Sequence, residues 1–354
     1  MEFRNQVLLG GALERLRELP SDTFQTCVTS PPYWGQRDYG TRRWFGGVLD
    51  CDHDQAIEHG PHHPGQVEQT KWKKAEAAGK GQTARTFTCS KCGAWWGQLG
   101  LEPTPSAYVE HLVQVFHEVR RVLRSDGTLW LNLGDSYAGG RHEGHKAKDL
   151  IGIPWLVALA LQHDGWWLRS DIIWHKPNVM PESVVDRPTR AHEYVFLLTK
   201  SQEYFYDREA ILEPSAQCPE GVENLDPSQA RNRRTVWSIP TQAYKGAHFA
   251  VFPPELPKLC IKAGTSEFGA CAACLKPWSR TGAPGCACGG TSTPCTVLDP
   301  FAGSGTSLMM AAALDRDWTG IEVNSEYLAL ISKRVESADR DSRAVFSHML
   351  RLAE

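Results

Sequence analysis

The sequence predicts an α/β domain in which a mostly parallel sheet is covered by helices on both faces, the usual outcome of alternating strand and helix signals. Two junctions carry that prediction most clearly. Toward the C-terminus an apolar strand ends in an acid, turns through two glycines and opens a helix: Val297-Leu298-Asp299-Pro300-Phe301-Ala302-Gly303-Ser304-Gly305-Thr306. Toward the N-terminus a short apolar strand, Phe24 to Thr29, runs directly into Ser30-Pro31-Pro32-Tyr33. With 354 residues, 41% of them hydrophobic, the chain can bury one large core and still carry insertions.

Each remaining element has its own signature. Residues 36–103 show little apolar periodicity and many Gly, His, Lys and Trp, as expected of an insertion. From Pro105 to Arg124, Tyr108, Leu112, Val115, Phe116, Val119 and Leu123 fall on one helical stripe. Ser125-Asp126-Gly127 predicts a turn, and Thr128 to Leu133 a strand. Ile153 to His163 reads as a helix; Trp167 to His175 and Glu193 to Thr199 read as strands. Residues 207–247 are polar and irregular, and Phe249 to Leu256 is rich in proline. After a cysteine-rich stretch come strand Thr296 to Leu298, a helix from Ser304 to Leu314, strand Trp318 to Ile321 and a last helix from Ser325.

No segment has the layout of a signal peptide or the length of a membrane span, so the expectation is a soluble cytoplasmic protein with no membrane partner. The formal net charge of −3 says little about nucleic acid, because an enzyme can grip it with one face. Two local stretches are basic. One holds Lys71, Lys73 and Lys74; the other holds Arg231, Arg233 and Arg234. Lysine mostly holds phosphate and arginine can also pair with guanine edges, although both stretches equally suit solvated loops.

The glycine turn lies where α/β sheets bind ligands, at the carboxyl ends of strands. A phosphate fits poorly, because the Lys-Ser/Thr pair of a P-loop is missing and Asp299 would repel it. A cationic ligand such as S-adenosylmethionine fits better. Glu322 closes the next strand, where an acid can bond both ribose hydroxyls, and Phe301 supplies an apolar contact.

In the N-terminal loop, two prolines stop the sheet and leave carbonyls without ladder partners. Acceptors of that kind suit transfer to an exocyclic base amine, a poor nucleophile whose lone pair is delocalised into the ring. The Ser30 hydroxyl and Pro31 carbonyl are assigned that role, with Pro32 stiffening the loop and the Tyr33 ring offering a stacking face. A base inside a duplex must be flipped out to reach them.

Together, Thr29-Ser30-Pro31-Pro32-Tyr33-Trp34 and Asp299-Pro300-Phe301-Ala302-Gly303-Ser304-Gly305-Thr306 resemble the motifs of the amino-methyltransferase class of DNA methyltransferases. The catalytic motif precedes the cofactor motif, as in the beta permutation of that class. Gly127 to Asp135, Leu168 to Asn178, Arg190 to Leu198 and His248 to Leu256 resemble further family segments. The resemblance implies a Rossmann-like methyltransferase fold with a seven-stranded, mostly parallel sheet, S-adenosylmethionine as cofactor and double-stranded DNA as partner. It allows for a companion restriction endonuclease that the activity does not require, in a prokaryotic or phage setting.

By the same resemblance the cofactor set is Thr29, His248, Asp299, Pro300, Phe301, Gly303, Gly305, Thr306 and Glu322. Serine at position 30 is similar to the N4-cytosine members, whereas adenine-specific members typically carry an acid there. N4-cytosine methylation is the expected activity; N6-adenine methylation and a catalytically silent, zinc-containing nucleic-acid-binding protein are the alternatives. The implied organisation is a catalytic half at 1–35 and 104–206, an insertion at 36–103, a target-recognition region at 207–247, and a cofactor half at 248–340 with a cysteine-rich insertion at 268–290.

Eleven cysteines without a secretion signal favour thiols or metal ligation over disulfides. Cys271, Cys274, Cys286 and Cys288 have the spacing of a tetrahedral zinc site, and Cys51, His53, Cys89 and Cys92 form a second candidate set across a long loop. Both are read as structural, since methyl transfer to an amine needs no Lewis acid. Pro294-Cys295 superficially suits cytosine-C5 chemistry, but Cys295 precedes the cofactor strand, away from any base.

Overall fold

The computed structural model describes residues 3–48, 50–54, 57–59, 86–139, 143–215, 229–242 and 252–338. Its central sheet contains β1 (Gln6–Leu9), β2 (Phe24–Thr29), β3 (Leu123–Leu133), β4 (Trp167–His175), β5 (His192–Thr199), β6 (Val236–Ser238), β7 (Thr296–Asp299) and β8 (Asp317–Glu322). Their order across the sheet is β1-β8-β7-β2-β3-β5-β4-β6. Only β5 runs against the rest, pairing antiparallel with both β3 and β4.

Successive side chains of a strand point to opposite faces, and here both faces are apolar. Cys27, Leu129, Leu131, Phe196, Leu198 and Leu298 share one buried cluster with α1 (Ala12–Glu18), α2 (Pro105–Val122) and α3 (Ile153–His163). Their strand neighbours Val28, Trp130, Val195, Leu197 and Val297 enter the other cluster, under α4 (Glu255–Gly264), α5 (Thr306–Ala313) and the helical residues 326–338. The start of α2 has its expected chemistry: Pro105 stands in the first turn and Thr104 Oγ1 accepts from Ala107 N at 3.2 Å.

The sheet has eight strands, not the seven expected. The extra edge strand, β6, lies within residues 207–247, which read as irregular because three residues with one buried side chain, Trp237, carry no detectable period. The turn expected at 125–127 is an irregularity within β3, whose pairing to β2 jumps from Leu123 opposite Phe24 to Thr128 opposite Thr26. Helix α4 overlaps the proline-rich stretch, because Pro254 and Pro257 fall at its cap and first turn, where an amide proton is dispensable.

The described residues between 36 and 103 form a layer of their own. Strands Arg43–Phe45, Ile57–His59, Thr86–Thr88 and Trp95–Gly97 make a four-stranded antiparallel sheet. It docks on α2 through His111, whose ring centre lies 4.4 Å from Phe45 and 5.2 Å from Trp95.

Helix α4 comes close to the sheet at Gly264, where an added Cβ would meet the hydroxyls of Thr26 at 2.6 Å and Thr128 at 2.7 Å. Gly264→Ala is therefore expected to destabilise the protein by about 1–3 kcal/mol, read from the midpoint of urea unfolding followed by circular dichroism.

Candidate active site and metal-ligand clusters

Parallel strands that end at one level deliver their loops to one edge of the sheet, and here those loops bound a cleft of about 970 Å³. Ser30, Pro31, Pro32 and Tyr33 line it after β2; Pro300, Phe301, Gly303 and Thr306 line it after β7, and Glu322 at the end of β8. Thr29, Asp299 and Gly305 stand behind this lining. The Thr29 hydroxyl donates to Asp299 Oδ1 at 2.6 Å, and the Phe301 amide donates to the same oxygen at 3.1 Å. Asp299 is 1% exposed, so it braces the loop instead of facing the cleft. Burial raises its pKa to about 6, opposed in part by hydrogen bonds from Thr29, Ser307 and the Phe301 amide.

Gly303 and Gly305 have φ of +52° and +77°, a region that side chains with a Cβ avoid. That turn aims the Gly303 amide at Glu322 Oε2, 2.8 Å away, while the Asn324 amide donates to Oε1 at 2.8 Å. Burial raises the Glu322 pKa, against those backbone bonds. His248 lies outside the described residues, whereas Phe252, from the same family-like segment, lines the cleft.

Below Ser30 runs a network that sequence reasoning missed. Ser30 Oγ donates to the Tyr33 hydroxyl at 3.2 Å, which donates to Glu193 Oε2 at 2.7 Å and approaches Asn132 Oδ1 at 3.1 Å. The Asn132 amide donates to the same Glu193 oxygen at 3.1 Å. Lys176 pairs with the other Glu193 oxygen, and its ammonium sits 4.3 Å from the centre of the Trp174 ring. Burial and the neighbouring Glu193 carboxylate push the Tyr33 pKa well up, so its hydroxyl keeps its proton. Tyr108 donates to the Pro32 carbonyl at 2.8 Å, and among the described residues no donor reaches the Pro31 carbonyl. The one available signal was polar residues, Asn132 and Glu193, inside otherwise apolar strands.

Residues 24–333 match the DNA methylase family whose members act at N6 or N4 amines. The chain belongs to that family. It is 39% identical to the type II methyltransferase M.SmaI of Serratia marcescens, over 93% of this chain and 90% of that one. It is 38% identical to M.Cfr9I of Citrobacter freundii, over 93% of this chain and 87% of that one. Among solved structures it is similar in fold to the PvuII DNA methyltransferase (cytosine-N4-specific), with a TM-score of 0.56, 17% identity and coverage of 97% of this chain and 92% of that one.

Other expected residues of this methylase fall in distinct places. Cys51, His53, Cys89 and Cys92 converge, as do Cys271, Cys274, Cys286 and Cys288; in each set the four donor atoms lie within 4.8 Å of one another. Lys71, Lys73 and Lys74 lie outside the described residues. Arg231 and Arg234 both pair with Glu213, at 3.0 and 2.6 Å, and Arg233 donates to the Ile211 carbonyl at 2.8 Å. None of these three arginines lines the cleft. Cys295 is buried, its pKa raised to about 11 chiefly by that burial, and it too is absent from the lining. Among the described residues no helix is long and apolar enough to cross a membrane.

Because folding raises the Asp299 pKa, its contribution to stability is complete at low pH and is lost as pH rises through about 6. In pH-dependent unfolding without added ligand, Asp299→Asn is expected to remove up to about 3 kcal/mol of stability difference between pH 4 and pH 7.5. Superimposable wild-type and variant profiles would contradict a protonated, buried Asp299.

Proposed function

We propose that this chain is an S-adenosylmethionine-dependent DNA methyltransferase that methylates the N4 amine of cytosine in duplex DNA. The observation that carries the reading is the position of the Ser30-Pro31 loop across one cleft from Gly303 and Glu322. The lining fits the ribose and an apolar part of such a cofactor, whereas Asp299, buried behind the loop, does not face its cationic end. Glu322 keeps lone pairs beyond those used by Gly303 and Asn324, and Phe301 offers an apolar surface beside it. When bound, such a cofactor supplies an electrophilic methyl group.

The chain's own residues hold and polarise the amine. The Ser30 hydroxyl donates to the Tyr33 oxygen and the Tyr33 hydroxyl donates to Glu193, which leaves the Ser30 oxygen as an acceptor. A base amine placed between that oxygen and the Pro31 carbonyl has its two N–H groups satisfied outside the ring plane. That favours a pyramidal nitrogen and stabilises the positive charge growing on it. Lys176 fixes Glu193 from the other side, so the network holds its shape as charge develops.

Ser30, where adenine-specific relatives typically carry an acid, supports cytosine as the target base. The reading includes base flipping into the cleft, a cytoplasmic setting, a place in a restriction–modification system, and sequence recognition through residues 36–103 and 207–247. It also includes structural zinc at the two four-donor clusters, with no part in methyl transfer.

Incubation with duplex DNA and methyl-labelled S-adenosylmethionine, followed by digestion and nucleoside mass analysis, is expected to give N4-methylcytosine. N6-methyladenine as the labelled product would overturn the base assignment. Ser30→Ala should lower kcat by about 10²–10³-fold while leaving cofactor affinity unchanged in calorimetry. Glu193→Gln, which unpairs Lys176 and slackens Tyr33, should lower kcat by up to about 10²-fold without weakening the cofactor.

A further inference from the structure

The two four-donor clusters share one local structure. In the first, the Cys89 carbonyl accepts from Gly93 N at 2.9 Å and the Cys89 amide donates to Ala94 O at 2.7 Å. In the second, the Cys271 carbonyl accepts from Leu275 N at 2.7 Å and its amide donates to Lys276 O at 2.9 Å. The fourth residue after the cysteine has positive φ in both, +73° at Gly93 and +60° at Leu275. For a leucine that conformation is strained, and it persists only where the surroundings impose it. The two knuckles turn their Cys-x-x-Cys sulfurs toward a common point.

The donor spacing is that of a tetrahedral metal. Zinc–sulfur bonds of about 2.3 Å and zinc–nitrogen bonds of about 2.0–2.1 Å put two sulfurs about 3.8 Å apart and a sulfur and a nitrogen about 3.6 Å apart. Cys51 Sγ and Cys89 Sγ are 3.9 Å apart, and Cys92 Sγ lies 3.3 Å from His53 Nδ1.

The clusters occupy opposite edges of the central sheet. The second is tied to the starts of β2 and β7: Gln25 Nε2 donates to the Leu275 carbonyl at 2.9 Å, and Gln25 Oε1 accepts from Thr296 N at 2.6 Å. The first stands at the cleft. His53 lines it together with Trp44, Phe45, Gly46, Gly47 and Val48. The His53 ring packs on Trp44 with centres 4.5 Å apart, and Gly47 is pressed so close that a Cβ there would lie 2.8 Å from Cys92 Sγ. The cleft wall is therefore laid directly over the donors.

We propose that the two metal sites divide their labour: zinc at Cys51, His53, Cys89 and Cys92 shapes the wall of the DNA cleft, while zinc at Cys271, Cys274, Cys286 and Cys288 clamps the far edge of the sheet. This rests on the zinc reading above, and metal content tests that reading separately from the assignment of the wall.

The full chain reconstituted with zinc should hold two ions by atomic emission, and cobalt should replace them with the intense visible bands of tetrahedral thiolate coordination. Cys92→Ser should hold one ion, keep the far-ultraviolet dichroism and S-adenosylmethionine affinity of the wild type, and bind duplex DNA about tenfold more weakly or worse in anisotropy titrations. Cys288→Ser should also hold one ion, but melt at lower temperature while keeping its DNA affinity. His53→Cys, which preserves four donors, should retain both ions and the wild-type dichroism, so that ion loss in Cys92→Ser reads as loss of a donor and not of the fold. Fewer than two zinc ions in the reconstituted wild type overturns the metal reading. Loss of one ion in Cys92→Ser with unchanged DNA affinity overturns the wall assignment and leaves the metal reading standing.

Discussion

The side-by-side pairing of β2 with β7 is the constraint on which the rest of the structure depends. The two strands come from opposite ends of the chain, and the Thr29–Asp299 hydrogen bond joins residues 270 positions apart. Parallel strands that end at one level send their next loops to one side of the sheet. The proline loop and the glycine turn thus leave adjacent strands toward the same cleft. Burying Asp299 costs free energy, since a desolvated carboxylate is disfavoured, and the bonds from Thr29 and the Phe301 amide offset part of that cost. The acid's first task is to hold the turn that carries the lining.

A second constraint comes from the direction of β5. Because it alone runs against the sheet, its first residues reach the edge where β2, β3 and β4 finish. Glu193, near the start of β5, therefore meets Tyr33 after β2, Asn132 near the end of β3 and Lys176 just past β4. A parallel strand in that position would have carried Glu193 to the far edge. The network ties four chain segments together beneath Ser30.

The cysteine-bearing segments follow a different logic. Residues 36–103 offer few apolar side chains for a core, yet the described residues among them form a sheet docked on α2 through Phe45, Trp95 and His111. Small layers of this kind gain much of their order from a few fixed points. The knuckle at Cys89 supplies one beside the cleft, and the knuckle at Cys271 supplies another where β2 and β7 begin.

The sequence by itself determined the α/β class, the long elements and both loops of the cleft. Apolar runs buried on both faces, a capped eighteen-residue helix over Pro105–Val122 and the fixed chemistry of proline and glycine are local signals. It also paired the cysteines of each Cys-x-x-Cys step, Cys89 with Cys92 and Cys271 with Cys274, because that spacing is short-range, whereas the fold brings Cys51 and His53 to Cys89 and Cys92. Tertiary structure alone decided the strands β1 and β6, whose few residues become strands only by pairing with β8 and β4. It likewise decided that Asp299 stands behind the cleft, that Arg231 and Arg234 turn to Glu213, and that Glu193 reaches Tyr33. The physical reason is the same in each case: the partner lies on another strand or loop, and a side chain's environment is set by what packs against it, not by its neighbours in sequence.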